Sequence, residues 1–288
     1  MNTRAKTRSG GTTAPAAPRH VHDNDNDGAP PPPPPRRAGV NSYLYGIIRW
    51  PAPKELTDRL GRGVGDPPGA LRVVPVRELA ALVSDVSGAQ MQAQGLRGTR
   101  RDMKAHAAAV NDIAASITLL PVRFGVVLPD DRTLISGFLE PQYKQLLAYL
   151  DQVEGAVEVT LRATSIEEPT LRAVVAERPE LASGRRGGAS MAHESRIEHG
   201  RQVAAAIHDL QDRDARWIVD NLAPTARDIR IAKPLRDLMA LNASFLVERK
   251  RLTMFDRTLE KLNAAVGHRI QFDCVGPLAP YSFVDLRL

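Results

Sequence analysis

Residues 119–128, Leu-Leu-Pro-Val-Arg-Phe-Gly-Val-Val-Leu, constrain the fold more than any other stretch, because they form the densest apolar run in the chain. Their Val and Phe content favours a strand over a helix, and the run is too short to span a membrane. Near-continuous apolarity predicts a central strand with both faces covered. Pro121 sits near the start, where a strand tolerates a missing N–H, and Gly125 marks a bulge or a close backbone approach. Arg123 is the odd residue, since a guanidinium in a buried strand needs a partner or a route to water.

The flanking segments read as elements packed onto that strand. Tyr43-Leu-Tyr-Gly-Ile-Ile48 is a β-rich run ended by Pro51 and Pro53, and residues 54–60 make one helical excursion. Residues 71–76 and 79–86 predict a hairpin turning at Arg77-Glu78. Before that hairpin, Gly61-Arg-Gly-Val-Gly65 lacks the Lys-Ser/Thr and the long helix of a phosphate loop. A helix is expected over 100–116, capped by Thr99 with Asp102. Its apolar stripe would be Met103, Ala107, Val110, Ala114 and Ile117, with His106 at the edge. Asp130-Asp131 reads as a turn and Pro141 as the first residue of the next helix, which Gly155 stops. Val157, Val159, Leu161 and Ala163 alternate with Glu158, Thr160 and Arg162, a strand with one wet face. Strands and two long helices in this alternation predict a ferredoxin-like α+β sandwich over 40–164.

Residues 165–190 read as a linker region, with a short helix and a Gly-Arg-rich end. Residues 191–288 then form a second α+β domain with a long helix over 191–222. Val203, Ile207, Leu210, Trp217 and Ile218 give that helix its apolar face, and Asp214 marks a break in it. Strands are expected over 228–232 and 238–247, a wet charged junction at Glu248-Arg-Lys-Arg251, and a helix ending at Gly267. In the last strand, Ile270, Phe272 and Cys274 face the core.

Composition limits the function classes. The single Cys274 excludes an intramolecular disulfide framework and suits a reducing cytoplasm. No apolar run reaches the length of a transmembrane helix, and no signal-peptide h-region is visible, so the expected location is cytoplasmic. Half of the net charge of +6 sits in residues 1–39, where Arg4, Lys6, Arg8, Arg19, Arg36 and Arg37 oppose three aspartates. The body is therefore only mildly basic. Residues 1–39 are Pro-rich, nearly free of large apolar side chains and expected to be disordered. Asp23-Asn-Asp-Asn-Asp-Gly28 copies half of an EF-hand loop, but Pro34 stands where the bidentate Glu belongs. The proline run at 30–35 favours a stiff polyproline spacer.

No catalytic, cofactor or metal site emerges. There is no Gly-x-Ser-x-Gly, no paired-acid motif and no His-Glu-x-x-His spacing among His193, Glu194, Glu198, His199 and His208. Five short motifs instead occur in order: Tyr43-Leu-Tyr45-Gly46; Leu120-Pro121-Val-Arg123-Phe124-Gly125; Ile197-Glu-His-Gly200 with Val203; Phe245-Leu-Val247; and Gly276-Pro277-Leu-Ala-Pro280-Tyr281-Ser282-Phe283. Together they resemble the gas vesicle protein L/F family across residues 41–285. One departure is Leu278-Ala279, where the family usually has Trp-Pro. The resemblance implies a non-enzymatic accessory protein of gas vesicle formation, with a ferredoxin-like N-terminal domain and a second α+β domain. It implies as partners the small hydrophobic shell protein, of GvpA type, and other vesicle proteins, with no membrane and no nucleic acid. The motif residues would then serve structure or partner binding, with Tyr281 and Phe283 as aromatic anchors of the C-terminus. The alternative is a basic ferredoxin-like RNA-binding module. Phe124 alone in residues 119–128 is a poor stacking surface for it.

Overall fold

The computed structural model describes residues 40–57, 60–87, 96–185 and 193–286. The N-terminal tail, with its aspartate–asparagine and proline runs, lies outside the described residues. The fold is α+β, built on two antiparallel sheets and a long helix.

The first sheet holds β1 (Val40–Arg49), β2 (Leu71–Val76), β3 (Leu79–Ser87), β4 (Leu119–Pro121) and β5 (Val127–Leu128), in the order β2-β3-β1-β4 with β5 also on β1. Its helices are α1 (Lys54–Thr57), α2 (Leu96–Ser116), α3 (Asp131–Leu134) and α4 (Tyr143–Val153). The second sheet holds β6 (Ala156–Ser165), β7 (Asp228–Ile231), β8 (Met239–Glu248) and β9 (Ile270–Leu278), in the order β7-β8-β6-β9. Its helices are α5 (Glu167–Glu177), α6 (His193–Leu222) and α7 (Leu252–Val266). Taken in chain order, each sheet places its second strand outermost, then its third, first and fourth, which is the ferredoxin-like order. The same wiring thus occurs twice in one chain.

The central strand is β1, not residues 119–128. Every residue from Ser42 to Ile48 is buried. Leu44 and Ile47 face a core shared with Leu146, Leu150 and Val153 of α4, while Tyr43, Tyr45 and Ile48 face Ala109, Val110 and Ile113 of α2. Fully burying side chains of this size contributes about 1.5–3 kcal/mol each. The apolar run at 119–128 lies along the free flank of β1 as two short pieces, joined by a loop through Phe124 and Gly125. The loop stays tied to β1, because Val122 N–H donates to Tyr45 O at 2.9 Å and Leu44 N–H to Val126 O at 3.0 Å. Gly46 lets the two strands meet: a Cβ there would lie 2.6 Å from Leu120 O and 2.8 Å from Leu119 Cδ1.

Other sequence expectations are corrected. Residues 156–165 do not belong to the first sheet. They form β6, paired on both sides within the second sheet, so a boundary at residue 164 does not separate the sheets. Helix α2 begins at Leu96, which puts Thr99 and Asp102 inside it. Its buried row is Asp102, His106, Ala109, Val110, Ile113 and Ala114, while Met103 is half exposed and Ala107 is exposed, so the inward face is rotated from the apolar stripe and keeps its Val110 and Ala114. Helix α4 begins at Tyr143, not Pro141, and Asp130 caps α3 by accepting from Thr133 N–H at 2.7 Å. Cys274 is exposed, on an edge strand whose residues 273–277 are all exposed. Asp214 does not break α6 but forms a bidentate ion pair with Arg269.

Two arginines join the halves. Arg249 donates to Ala114 O and Ile117 O at the C-terminus of α2, and burial lowers its pKa. Arg227 donates to Gln152 O and Glu154 O at the end of α4, both at 3.0 Å. Cations there satisfy orphan carbonyls and oppose the negative ends of the helix dipoles. The charged junction at 248–251 is thus largely committed, since Glu248 also pairs with Arg227, Lys250 and Arg251.

Candidate functional site

The residues singled out by sequence converge where the β4–β5 loop and the C-terminal segment meet β1 and α2. Alternation along β1 turns Tyr43 and Tyr45 to one face, with ring centroids 4.9 Å apart. His106 comes down from α2 between them and Phe124. Its ring stacks on Tyr45 at 5.4 Å and meets Phe124 edge-on at 5.8 Å. Tyr43 Oη accepts from Gly125 N–H at 2.9 Å and lies 3.0 Å from His106 Nδ1. His106 Nε2 lies 3.0 Å from Val122 O and 3.3 Å from Tyr281 Oη. One neutral tautomer satisfies this network: Nε2–H donates to Val122 O while Nδ1 accepts from the Tyr43 hydroxyl. Gly125 adopts φ +99°, which favours glycine and turns its N–H onto Tyr43.

Burial sets the electrostatics. It pushes the Tyr43 and Tyr45 phenols up, and Tyr281 up to about 12. It pushes His106 down, against the opposing pull of the Val122 carbonyl. These shifts favour the uncharged form of all four groups at neutral pH, and together the four make a hydrogen-bonded aromatic brace.

The C-terminal segment crosses from one sheet to the other. Ala279 N–H donates to Asn111 Oδ1 of α2 at 3.1 Å. Pro280 is buried, and Tyr281 reaches His106. Ser282 gives its N–H and its hydroxyl to Glu158 of β6, at 2.8 and 2.6 Å. Phe283 is 4% exposed in the core that joins Ala156 and Leu246 of the second sheet to the first. Gly276 and Pro277 are exposed on β9 just before this clasp.

The remaining motif residues divide. Leu120 and Pro121 are buried on β4. Arg123 is exposed, so its route to water is direct. Gly200 stands apart, exposed on α6 with open space around its Cα. Sequence reasoning missed His106, which read as an edge residue, and Glu158, which read as part of a wet face. The period from Asp102 to His106 and Ala109 could have placed His106 inward. Nothing local could have buried Glu158, because the segment that covers it lies over a hundred residues away. Among the described residues, no group of three His, Cys, Asp or Glu side chains could hold a metal ion, and no helix is long and apolar enough to cross a membrane.

Comparison with known proteins agrees with the motifs. The family model for the gas vesicle synthesis protein GvpL/GvpF matches residues 41–285. Gas vesicle protein F of Streptomyces sp. (strain CB03234) is 35% identical over 249 residues, which is 85% of this chain and all of that protein. Gas vesicle protein F of Haloferax mediterranei is 26% identical, over 86% of this chain and 95% of that one. The crystal structure of GvpF from Anabaena sp. PCC7120 superposes with a TM-score of 0.73 at 22% identity, covering 86% of this chain and all of that one. That from Microcystis aeruginosa gives 0.67 at 23% identity, over 84% and 98%. These likenesses carry the fold, and the family match with the Streptomyces relative carries the rest: the chain belongs to the gas vesicle synthesis protein GvpL/GvpF family and has a gas vesicle role.

Proposed function

We propose that this protein is a non-enzymatic accessory factor of gas vesicle assembly, which binds the small hydrophobic shell protein and other vesicle proteins in the cytoplasm while the shell forms. Shell subunits that face gas must carry apolar surface, and such surface aggregates until it is covered. A partner that covers it, or offers an edge for growth, keeps the subunits usable.

The observation that carries this reading is the outer half of β9. Residues 273–277 are exposed, Val275 is 42% exposed, and β9 is the last strand of its sheet. An edge of this kind can accept a partner strand through main-chain hydrogen bonds. The preceding clasp supports it from behind, because Glu158 of the neighbouring strand holds Ser282.

The test is capture of a soluble shell-protein fusion by the full chain at low and high salt, with RNA as competitor. A mainly apolar, backbone-mediated contact survives high salt, whereas exposed ion pairs are screened over about 10 Å at 0.1 M. Val275→Glu, a charge on the exposed edge, should abolish capture without lowering the melting temperature. Shell protein ignored at every salt concentration, with RNA bound at low salt, would overturn the proposal in favour of nucleic-acid binding.

A further inference from the structure

Strand β9 is paired on one side only, with β6. Ile166 N–H donates to Arg269 O at 2.8 Å, so residue 269 turns its main-chain groups to β6. Alternation carries this on through Gln271, Asp273 and Val275, the partners of Thr164, Arg162 and Thr160. Phe272 and Cys274 therefore turn their N–H and C=O groups to the open side. Their side chains stand on the α7 face of the sheet, because they pair with Ala163 and Leu161, which lie in the core beneath α7. Two carboxylates flank that face. Asp256 and Glu260 are exposed on α7 and make no hydrogen bond or ion pair among the described residues. Four residues apart, they share one side of the helix, and their like charges repel. Arg257 and Lys261, the next residues along, are turned about 100° round the helix from them. Desolvation pushes the Cys274 thiol up, and the carboxylates of Asp256 and Asp273 push it further, so Asp256 is on the β9 side of α7. The chain reverses at Gly267 between α7 and β9, so the helical turn that carries Glu260 runs back towards Phe272. Asp273 is already held by Arg162 at 3.2 Å, which leaves Asp256 and Glu260 as the uncompensated pair.

We infer that the strand accepted by β9 carries cations at two alternate positions, opposite Phe272 and Cys274, with apolar residues between them. This deepens the reading of β9 as a docking edge and rests on it. The open main-chain groups make the edge a site for a strand, and the two carboxylates decide which strand it takes. Cross-strand neighbours point to the same face, so residues opposite Phe272 and Cys274 point towards α7. The spacings agree. Residues four apart on a helix are separated by about 6.0 Å along its axis, and residues two apart on a strand by about 6.7 Å. Lysine or arginine at alternate positions of the added strand thus runs in step with Asp256 and Glu260. The residues between them point to the other face, beside Val275, which is 42% exposed. A second copy of this chain is the wrong occupant, because its β9 would bring its own Asp256 and Glu260 against these. Backbone and apolar contacts survive high salt, while the ionic increment is screened.

Titration of the full chain into dye-labelled, capped strand peptides, read by fluorescence anisotropy, tests it. One peptide alternates valine with lysine, and two others replace the lysines by glutamine or by glutamate. The lysine peptide should bind about three- to tenfold more tightly than the glutamine peptide, the range expected of two partly exposed ion pairs, and the glutamate peptide should bind least. Asp256→Asn combined with Glu260→Gln should bring the lysine peptide to the level of the glutamine peptide and leave the latter unchanged. High salt should do the same. Thermal melts should show no loss in that double variant, since it removes a like-charged pair from α7. Val275→Glu should abolish binding of every peptide. It adds a negative charge, so a merely electrostatic contact with the lysine peptide would strengthen instead. Lysine and glutamine peptides that bind equally, both blocked by Val275→Glu, overturn this inference and leave the docking edge standing. Lysine-peptide binding that survives Val275→Glu, or binding by none of the three, overturns the docking edge and this inference with it.

Discussion

Ser282 donates both its backbone N–H and its hydroxyl to the carboxylate of Glu158, 124 residues earlier in the chain. The two contacts are 2.8 and 2.6 Å, and Glu158 also accepts from Thr160 at 3.3 Å. Glu158 is 4% exposed, so its charge is held by hydrogen bonds rather than by water. The bond fastens the C-terminal segment to β6 while Tyr281 and Phe283 fasten it to the other half. Removing the hydroxyl leaves the N–H contact but deprives a buried charge of a donor. Ser282→Ala should therefore cost about 1.5–3 kcal/mol, as for hydrogen bonds to charged groups. Urea unfolding of Ser282→Ala, Glu158→Gln and the double variant gives the coupling. Additive losses would show that the pair does not act as a unit.

Phe283 is the apolar counterpart of that bond. Its ring fills a core formed by residues of both sheets, and truncation leaves a cavity that a shared core cannot easily close. Phe283→Ala should lose about 3–5 kcal/mol of stability. A Phe283→Ala protein of normal stability that no longer captures shell protein would make the ring a contact residue instead.

The fold was legible in the sequence where a pattern is local. The hairpin of β2 and β3, the long α6 and the stop of α7 at Gly267 follow from alternation, helical period and turn chemistry. What misled was reading burial from apolarity alone. Residues 119–128 are apolar because the loop must cover Tyr43 and His106, not because a continuous strand runs there. Strand β1 shows a weaker pattern, since its two tyrosines look amphipathic, yet each hydroxyl finds a buried partner. Glu158 and β6 were misplaced for one shared reason: both depend on segments from the end of the chain, which no window around residue 158 contains. The candidate site was legible as a set of motifs but not as a geometry, because His106 and Glu158 hold it together from outside those motifs.

Two motif glycines should respond in opposite ways. A methyl at Gly46 meets Leu120 O at 2.6 Å, a backbone atom that cannot swing aside. Gly46→Ala should cost about 1–3 kcal/mol through overpacking of the β1–β4 seam. Gly200 lies within α6, and a methyl there would meet nothing within 4 Å. Gly200→Ala should raise stability by about 0.5–1 kcal/mol, the helix-propensity difference. Paired thermal melts check both, and a loss at Gly200 would mean that the position serves something other than the helix.

The brace around His106 makes stability depend on pH. Burial lowers the histidine's folded-state pKa below the ordinary value of 6.5. Between those two values the unfolded chain binds a proton that the folded chain refuses, so stability rises with pH across that window. Full stability is therefore present above 6.5 and is lost progressively as pH falls towards the folded-state value. The cause is desolvation: a charged imidazolium in this site would lose its water, and the Val122 carbonyl that accepts from Nε2–H only partly offsets that loss. His106→Gln keeps an acceptor for Tyr43 and a donor for Val122 O while removing the titration. Melting temperatures of both proteins should be compared from neutral to mildly acidic pH. The wild type should lose more stability on acidification than His106→Gln, with the difference growing below 6.5. Parallel curves would show that acid sensitivity arises elsewhere and that His106 is not the group that titrates.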